Sequence, residues 1–339
     1  RGTERAKTMI NDQVQIYGGL KDWRGHERPA VVAVGTFDGV HLGHKALVRR
    51  AIESARASGL AAIVLTFEPH PGELLRKEAH NRLSTPQEKI AFLRELGPDA
   101  IVVLDFKEEL QSLSAEEFTS KILVAELNAS QVHVGFNFHF GKNGQGNVDK
   151  LKELGEIKGF AVKVLSPVNY AAQPISSSRI RQSLKNGDVA TARFFLGREY
   201  TLSGTVTRGE GRGQDLGFPT ANLKLNDDRK LLPRFGVYLG DVRGDIEGPC
   251  LVSIGLSPTF GPRNEARVEV YIPSHDGGGH LYEQKLHVTL CQWMRPELRF
   301  DTSAQLVAQM KKDLEYLLSR TGIKGATCRS SKQESASNE

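Results

Sequence analysis

Two histidines three residues apart, His41 and His44, lie among glycines in a segment that can bind and polarise a phosphate group. An apolar run from Val31 to Val34 precedes the segment and helical spacing follows it, which predicts a turn between a strand and a helix. Backbone N–H groups and the dipole at a helix start favour an anion, and both imidazoles can donate hydrogen bonds to phosphate oxygens. The segment therefore predicts a polyphosphate site, with a structural turn as the alternative.

Small residues of the same segment are predicted to let a nucleotide approach the backbone, because glycine has no Cβ. The chain lacks the lysine-containing signature of a Walker-type phosphate loop, so the predicted device is a different one. The residues predicted to contact the nucleotide here are Gly35, Thr36, Phe37, Gly39 and Gly43.

A second segment, Gly217 to Asn222, carries residues that suit magnesium. The hydroxyl of Thr220 and the side-chain carbonyl of Asn222 are hard oxygen ligands, and magnesium commonly bridges nucleotide phosphates. Upstream glycines, Gly209 among them, flank Arg212 in a loop suited to covering phosphates. A proline turn followed by an ordinary strand is the alternative interpretation.

The first half of the chain alternates short β-rich runs with helical segments, which predicts an open parallel sheet with helices on its faces. Thr85, Pro86 and Glu88 form a capping signature, and Ser114 with Glu117 repeats it. The predicted strands are Val31–Phe37, Ala61–Phe67, Ala100–Phe106, Gln131–Phe138 and Ala161–Val168.

After Gly197, short strands punctuated by glycine predict a small antiparallel β-barrel, which an amphipathic helix from Thr302 to Arg320 closes. The barrel strands are predicted at Tyr200–Thr207, Gly236–Val242, Cys250–Ile254, Arg267–Ile272 and Lys285–Trp293. With 339 residues, the chain is long enough for two domains. The predicted division is a lead-in over 1–30, a first domain over 31–197, a second over 198–320 and a flexible tail over 321–339.

The net charge of +5 is spread over lysines and arginines that alternate with acids, so anionic small substrates account for it as well as nucleic acid does. No apolar run approaches the roughly 18 residues that span a bilayer, and the first residues lack an apolar secretory core. These features predict a cytoplasmic protein with small-molecule partners, a monomer or weak homo-oligomer that binds neither membrane nor nucleic acid.

From Val31 to Arg320 the chain resembles, in colinear order, the bifunctional bacterial riboflavin kinase/FMN adenylyltransferase family. Beyond the two segments above, the resemblance rests on Phe67–Pro71, Val134–Gly141 and Ile175–Arg181. It implies a Rossmann-like nucleotidyltransferase domain followed by a riboflavin kinase barrel. The implied activity is ATP-dependent phosphorylation of riboflavin to FMN and adenylylation of FMN to FAD with release of pyrophosphate. Magnesium is the implied metal ion for both reactions.

The resemblance also implies roles for residues of the first domain. The two histidines would contact the ATP phosphates, and Asn137 would help to hold the substrates, the flavin among them. Ser177, Ser178 and Arg181, in the serine-rich segment and the helix that it starts, would close over the triphosphate. Without the resemblance, that segment is an ordinary helix cap and Asn137 a turn residue. The residues implied for catalysis or nucleotide binding are His41, His44, Asn137, Ser177, Ser178 and Arg181.

In the second domain, Glu269 occupies the strand position of the family's catalytic glutamate, where a carboxylate can accept the proton of the ribityl hydroxyl. The alternative is a solvent-facing glutamate on an alternating strand. Arg295 and Phe300 are implied as flavin contacts through charge and ring packing. The chain departs from the family pattern at Ser253, Ser257 and His275.

These departures leave two further hypotheses. One is that only one half is active, with the kinase the half that the substitutions would impair. The other is a non-catalytic nucleotide- or nucleic-acid-binding protein, which the basic composition suggests and which predicts salt-sensitive binding without flavin turnover.

Overall fold

The structure is a computed structural model that describes residues 14–23, 28–75, 81–208, 213, 216–256, 266–275 and 281–321. By internal packing the chain divides into two compact units, Arg1–Ser177 and Ser178–Glu339. The packing division therefore precedes the predicted functional boundary at residue 197, which stays a prediction.

The first unit is built on a six-stranded sheet, and parallel pairing joins every neighbouring pair of its strands. The strands are β1 (Gln15–Tyr17), β2 (Ala30–Val34), β3 (Ala61–Glu68), β4 (Ala100–Asp105), β5 (Ala129–Gly135) and β6 (Ala161–Leu165). Their order across the sheet is β1-β4-β3-β2-β5-β6. All five residues of β2 are buried, as expected for a central parallel strand covered on both faces.

Helices cover the two faces of this sheet. They are α1 (Leu42–Ala57), α2 (Pro71–Leu75), α3 (Pro86–Arg94), α4 (Glu108–Ser112), α5 (Ala115–Glu117), which continues into a π-helical segment (Phe118–Glu126), and α6 (Val148–Lys158). Side chains of β2 alternate between the faces: Val31 packs in a cluster with Val48 of α1, and Val32 packs on the other face with Leu151 of α6. A short pair, β7 (Asn169–Tyr170) and β8 (Gln173–Pro174), follows the sheet.

The predicted helix starts are confirmed. Thr85 accepts a hydrogen bond from the backbone N–H of Glu88, whose side chain accepts one from the N–H of Thr85. Ser114 and Glu117 form the same reciprocal pair. Each capping box satisfies N–H groups at a helix start that have no partner within the helix.

The strand order places a topological switch at β2. The chain runs from β2 to β3 and β4 on one side and returns to β5 and β6 on the other side. Crossover connections therefore leave the carboxyl ends of β2 and β5 in opposite directions, which opens a crevice between them. Ligands of open parallel sheets bind in such a crevice.

The second unit, as far as the structure describes it, has two short helices, a closed barrel and a final helix. Its elements are α7 (Ser177–Lys185), which begins at the division, α8 (Val189–Leu196), β9 (Tyr200–Thr207), β10 (Ala221–Leu225), β11 (Gly236–Gly244), β12 (Gly248–Leu256), β13 (Ala266–Tyr271), β14 (Lys285–Arg295) and α9 (Ser303–Thr321). The barrel closes in the order β10-β13-β12-β11-β14-β9 through antiparallel pairs. Closure leaves no free sheet edge. Leu317 of α9 packs against Leu239 and Leu251 on the outside of the barrel.

Both predicted architectures are confirmed, and so are five of the barrel strands. Four strands were missed: β1, which lies in the predicted lead-in and pairs with β4, the two-residue strands β7 and β8, and β10, which begins inside the second predicted phosphate segment.

Candidate active sites

His41 occupies the N-cap position of α1. Its imidazole Nδ1 accepts hydrogen bonds from the backbone N–H groups of Gly43 at 3.1 Å and His44 at 3.3 Å. An accepting ring nitrogen carries no proton, so the neutral ring carries its proton on Nε2 and donates from there. His41 thus engages two of the amides at the helix start. The prediction that backbone amides here bind phosphate directly has less support for these two.

The two predicted histidines lie together. The rings of His41 and His44 are stacked, with centroids 3.6 Å apart and an interplanar angle of 19°. His41 is only 6% exposed, and the ring of Phe37 meets His44 edge-on at 5.3 Å. The stack fixes both rings, so the direction of each donor is set before a nucleotide binds.

Glycines of this turn make room for the protein's own rings. A Cβ on Gly43 would lie 3.1 Å from Cε1 of His41, and one on Gly35 would lie 3.0 Å from Cζ of Phe37. Gly39 has a φ of +81°, which glycine adopts readily. The predicted approach of ATP to these glycines stays a prediction, since the structure gives a packing reason for two of them.

Phe37 and Val40 bracket the turn with a left-handed backbone, at φ values of +52° and +37°, and both side chains are fully buried. Any contact of Phe37 with ATP would therefore come from its backbone. Thr36 is half-buried, and its carbonyl accepts a hydrogen bond from the hydroxyl of Thr66 at 3.2 Å.

Asp38 is a residue that sequence reasoning missed. Its carboxylate is 4% exposed and accepts the backbone N–H groups of Leu83 at 3.0 Å and Ser84 at 3.2 Å. Its backbone carbonyl accepts the hydroxyl of Ser177 at 2.9 Å. The signal for Asp38 in the sequence was an acidic residue inside a glycine-rich apolar segment. The contact brings Ser177, one of the implied ATP residues, to the histidine turn, which is the segment over residues 35–44 that carries His41 and His44.

Asn137 lies just beyond β5, on the second strand that borders the crevice. The N–H of Phe138 donates to the carbonyl of Gly135 at 3.1 Å, which makes the turn, and the side chain of Asn137 is exposed. The turn after β2 and Asn137 after β5 therefore occupy the two edges of the topological switch. Ser178 and Arg181 stand on α7 in the second unit, where Ser178 is exposed and Arg181 half-buried.

In the barrel, the predicted magnesium ligand and the predicted base are direct cross-strand neighbours. Asn222 of β10 lies opposite Glu269 of β13. Thr207 continues the row on β9 and Ser253 continues it on β12. The four side chains are half-buried and alternate with buried residues that fill the barrel. Neighbours of this kind have Cβ atoms about 4.5–5.5 Å apart, so an amide oxygen and a carboxylate can serve one substrate.

Glu269 forms an ion pair with Arg267, at 3.4 Å between Oε1 and Nη1. The pair lies along one face of β13, because residues two apart on a strand point the same way. The carboxylate is 22% exposed, so it is shielded but within reach of a ligand. A neighbouring guanidinium favours the ionised carboxylate that a base requires.

Thr220 is covered by its own loop. The N–H of Phe218 donates to the carbonyl of Gly213 at 2.8 Å, and a Cβ on Gly213 would lie 3.3 Å from Oγ1 of Thr220. The ring of Phe218 packs at 5.4 Å against Tyr271, which anchors the segment to the strand of Glu269. The predicted residues Gly209, Arg212 and Ser257 lie outside the described residues.

The implied flavin contacts differ from expectation. The guanidinium of Arg295 is held by the carboxylate of Asp313 on α9, through Nε at 3.1 Å and Nη2 at 2.6 Å. A flavin role for Arg295 therefore has no support in this geometry and stays a prediction. Phe300 is half-buried between β14 and α9, and His275 closes a turn by donating its N–H to the carbonyl of Ile272.

Two family models match separate parts of this chain. A family model described as FAD synthetase matches residues 24–179, and one described as riboflavin kinase matches 196–320. The bifunctional riboflavin kinase/FMN adenylyltransferase of Listeria monocytogenes is 37% identical over 287 residues, which are 84% of this chain and 90% of the relative. The enzyme of the same description from Pseudomonas fluorescens is 36% identical over 305 residues, 89% of this chain and 96% of the relative.

One solved structure also aligns along most of the chain. It is described as a macrolide-efflux protein from Streptococcus pneumoniae, with a TM-score of 0.80, 32% identity and coverage of 90% of this chain and 98% of that one. That description speaks of a different activity from that of the curated relatives. Within the described ranges, no helix is both long and apolar enough to cross a membrane.

The fold and the two family matches define a two-domain transferase, with an FAD synthetase domain built on the sheet and a riboflavin kinase domain built on the barrel. The chain belongs to the bifunctional riboflavin kinase/FMN adenylyltransferase family.

Proposed function

We propose that the barrel phosphorylates riboflavin with ATP to give FMN and that the first domain adenylylates FMN with a second ATP to give FAD and pyrophosphate. The observation that carries the proposal is the placement of Asn222 directly opposite Glu269 on the barrel. The histidine turn at the topological switch supports the second reaction in the same way.

For adenylylation, a phosphate oxygen of FMN attacks the α-phosphorus of ATP, and the bond to pyrophosphate breaks. Negative charge grows on the transferred phosphoryl group and on the leaving group. The Nε2–H of His41 donates to one of these oxygens, and His44 lies beside it to share the charge. Removal of one such donor typically slows the chemical step about 10²- to 10³-fold.

For phosphorylation, the ribityl hydroxyl attacks the γ-phosphorus of ATP and ADP leaves. Glu269 orients the hydroxyl and accepts its proton, with the guanidinium of Arg267 beside the carboxylate at 3.4 Å. The hydroxyl of Thr220 and the side-chain oxygen of Asn222 are hard donors that suit magnesium, and they would hold the ion together with the nucleotide phosphates. Magnesium, when bound, neutralises charge on those phosphates.

Finer features belong to the same proposal. The adenylyltransferase domain extends over 31–197 and the kinase domain over 198–320, and the chain works in the cytoplasm as a monomer or weak homo-oligomer. The two family models, which match residues 24–179 and 196–320, support the division into two domains. Sedimentation of the purified protein tests the oligomeric state.

A second candidate is an enzyme that only adenylylates FMN. It is favoured by one observation: Ser253, where the sequence departs from the family pattern, lies directly opposite Glu269. A kinase site altered at that neighbour can bind flavin poorly.

One experiment separates the candidates. The purified protein is incubated with ATP and magnesium, starting in parallel from riboflavin and from FMN, and the flavins are separated by chromatography. FAD from both starting points is the expected result. FAD from FMN alone would support the second candidate, and no product from either would refute both.

A further inference from the structure

Ser84 joins two segments of the first unit that are 45 residues apart in sequence. Its hydroxyl oxygen accepts the backbone N–H of Gly39 at 3.0 Å. The same hydroxyl lies 3.5 Å from Oδ1 of Asp38, which also accepts the backbone N–H of Ser84. Ser84 and Asp38 are each 4% exposed, so these bonds form away from solvent.

The segment that carries Ser84 is a fixed point of the fold. The next residue, Thr85, caps α3 through its reciprocal pair with Glu88. One turn later, the Nζ of Lys89 donates to the carbonyl of Phe67 at 2.7 Å and pairs with Glu68 at 2.8 Å. The start of α3 is thereby tied to the carboxyl end of β3, so Ser84 holds Gly39 to the sheet itself.

Gly39 is followed after one residue by His41. The backbone between them is constrained, with φ of +81° at Gly39 and +37° at Val40. A small rotation at Gly39 would therefore move the N-cap position and turn the imidazole that occupies it. Asp38 and Ser84 fix the turn on one side, and the stack of His41 on His44 fixes it on the other side.

From this geometry we infer that Ser84 is a positioning residue for adenylyl transfer: it sets the direction of the Nε2–H of His41 through its hydrogen bond to Gly39. Ser84 itself does not touch the substrates. The inference rests on the proposed adenylylation of FMN. Misplacement of a catalytic group by about 1 Å can cost on the order of 100-fold in rate, so loss of the hydroxyl is expected to act mainly on kcat.

The test is the variant Ser84→Ala, with Ser54→Ala as the matched control. Ser54 also donates a side-chain hydrogen bond within the first unit, to Gln131 at 2.7 Å, but it lies on α1 away from the turn. FAD formation from FMN is measured at saturating and limiting ATP. Turnover by Ser84→Ala at saturating ATP is expected to be roughly 10- to 100-fold slower than by the parent, with the KM for ATP changed less than threefold. Ser54→Ala should stay within twofold of the parent.

A second readout separates positioning from loss of folded protein. Riboflavin phosphorylation by the same sample takes place in the other unit and should be unchanged. In addition, Ser84→Ala is combined with His41→Asn. If Ser84 acts through the imidazole, the double variant is no slower than His41→Asn alone, because positioning a missing donor has no effect.

The inference would be overturned if the rate losses of Ser84→Ala and His41→Asn multiplied in the double variant. It would also be overturned if Ser84→Ala turned over as fast as the parent. Failure of the parent protein to make FAD from FMN would instead refute the proposed function, so the two failures are distinguishable.

Discussion

Replacement of His41 by asparagine separates the capping role that the structure shows from the proposed role as a phosphate donor. Its Nδ1 caps α1 by accepting the N–H groups of Gly43 and His44, and its Nε2–H is the proposed donor to the phosphate. Asparagine is among the best N-cap residues, since its side-chain oxygen accepts the same kind of bond. It does not reach the position of Nε2.

The magnitudes follow from these two roles. Loss of one transition-state donor corresponds to about 2.7–4 kcal/mol, which slows turnover about 10²- to 10³-fold. Stability of His41→Asn should stay within a few tenths of a kcal/mol of the parent. His41→Ala loses the cap as well, at about 1 kcal/mol, and the melting temperature of its domain falls by about 2–4 °C.

The assay measures initial rates of FAD formation from FMN and ATP together with thermal unfolding of both variants. Riboflavin phosphorylation in the same samples reports the amount of active protein. Equal loss of adenylylation in the two variants, with reduced stability only in His41→Ala, is the expected pattern. Near-parental FAD formation by His41→Asn would show that His41 is only a helix cap.

Two more predictions concern the barrel and the sheet. Asn222→Ala should abolish FMN formation and leave FAD formation from supplied FMN within twofold, because the lost side-chain oxygen belongs to the barrel. The control Asn226→Ala, just beyond the same strand, should change neither reaction. Persistent FMN formation by Asn222→Ala would refute the magnesium assignment. Burial lowers the pKa of His133 from 6.5 to about 4, and the positive charges of Lys163 and Arg50 contribute to the same shift. The folded state therefore binds fewer protons than the unfolded state below pH 6.5, and stability falls by about 1.4 kcal/mol per pH unit as the pH drops towards 4. Denaturant unfolding at pH 7 and pH 5 should show a loss of about 2 kcal/mol that His133→Gln lacks; equal pH dependence of the two proteins would contradict this.

The architecture was predictable because its longer elements carry clear periodicity. The buried run of β2 and the alternation of β9 each specify a strand without tertiary information. The missed strands lack that signal, as two of them show. β1 has three residues and becomes a strand only by pairing with β4, and β10 has five residues directly after a proline turn. In both, neighbouring strands supply what the local pattern does not.

Residues of the candidate sites were predictable from their types, but their partners were not. Histidine is not among the residues that N-cap positions favour, so the capping role of His41 is not visible in the sequence. The bond from Gly39 to Ser84 depends on how α3 docks. The pairing of Arg295 with Asp313 depends in the same way on where α9 lies against β14.

The turn from Phe37 to Val40 is held in its left-handed shape by two side chains fully buried in the core. Its backbone is therefore ordered during folding, and ATP bound there, as proposed, would not have to order it. Fixing one residue costs about 1–2 kcal/mol of conformational entropy, so four residues correspond to roughly 4–8 kcal/mol that does not oppose nucleotide binding. Nucleotide affinity becomes in part a property of the packing beneath the turn. A cavity under Phe37 would weaken ATP binding although no group that faces the phosphates had changed.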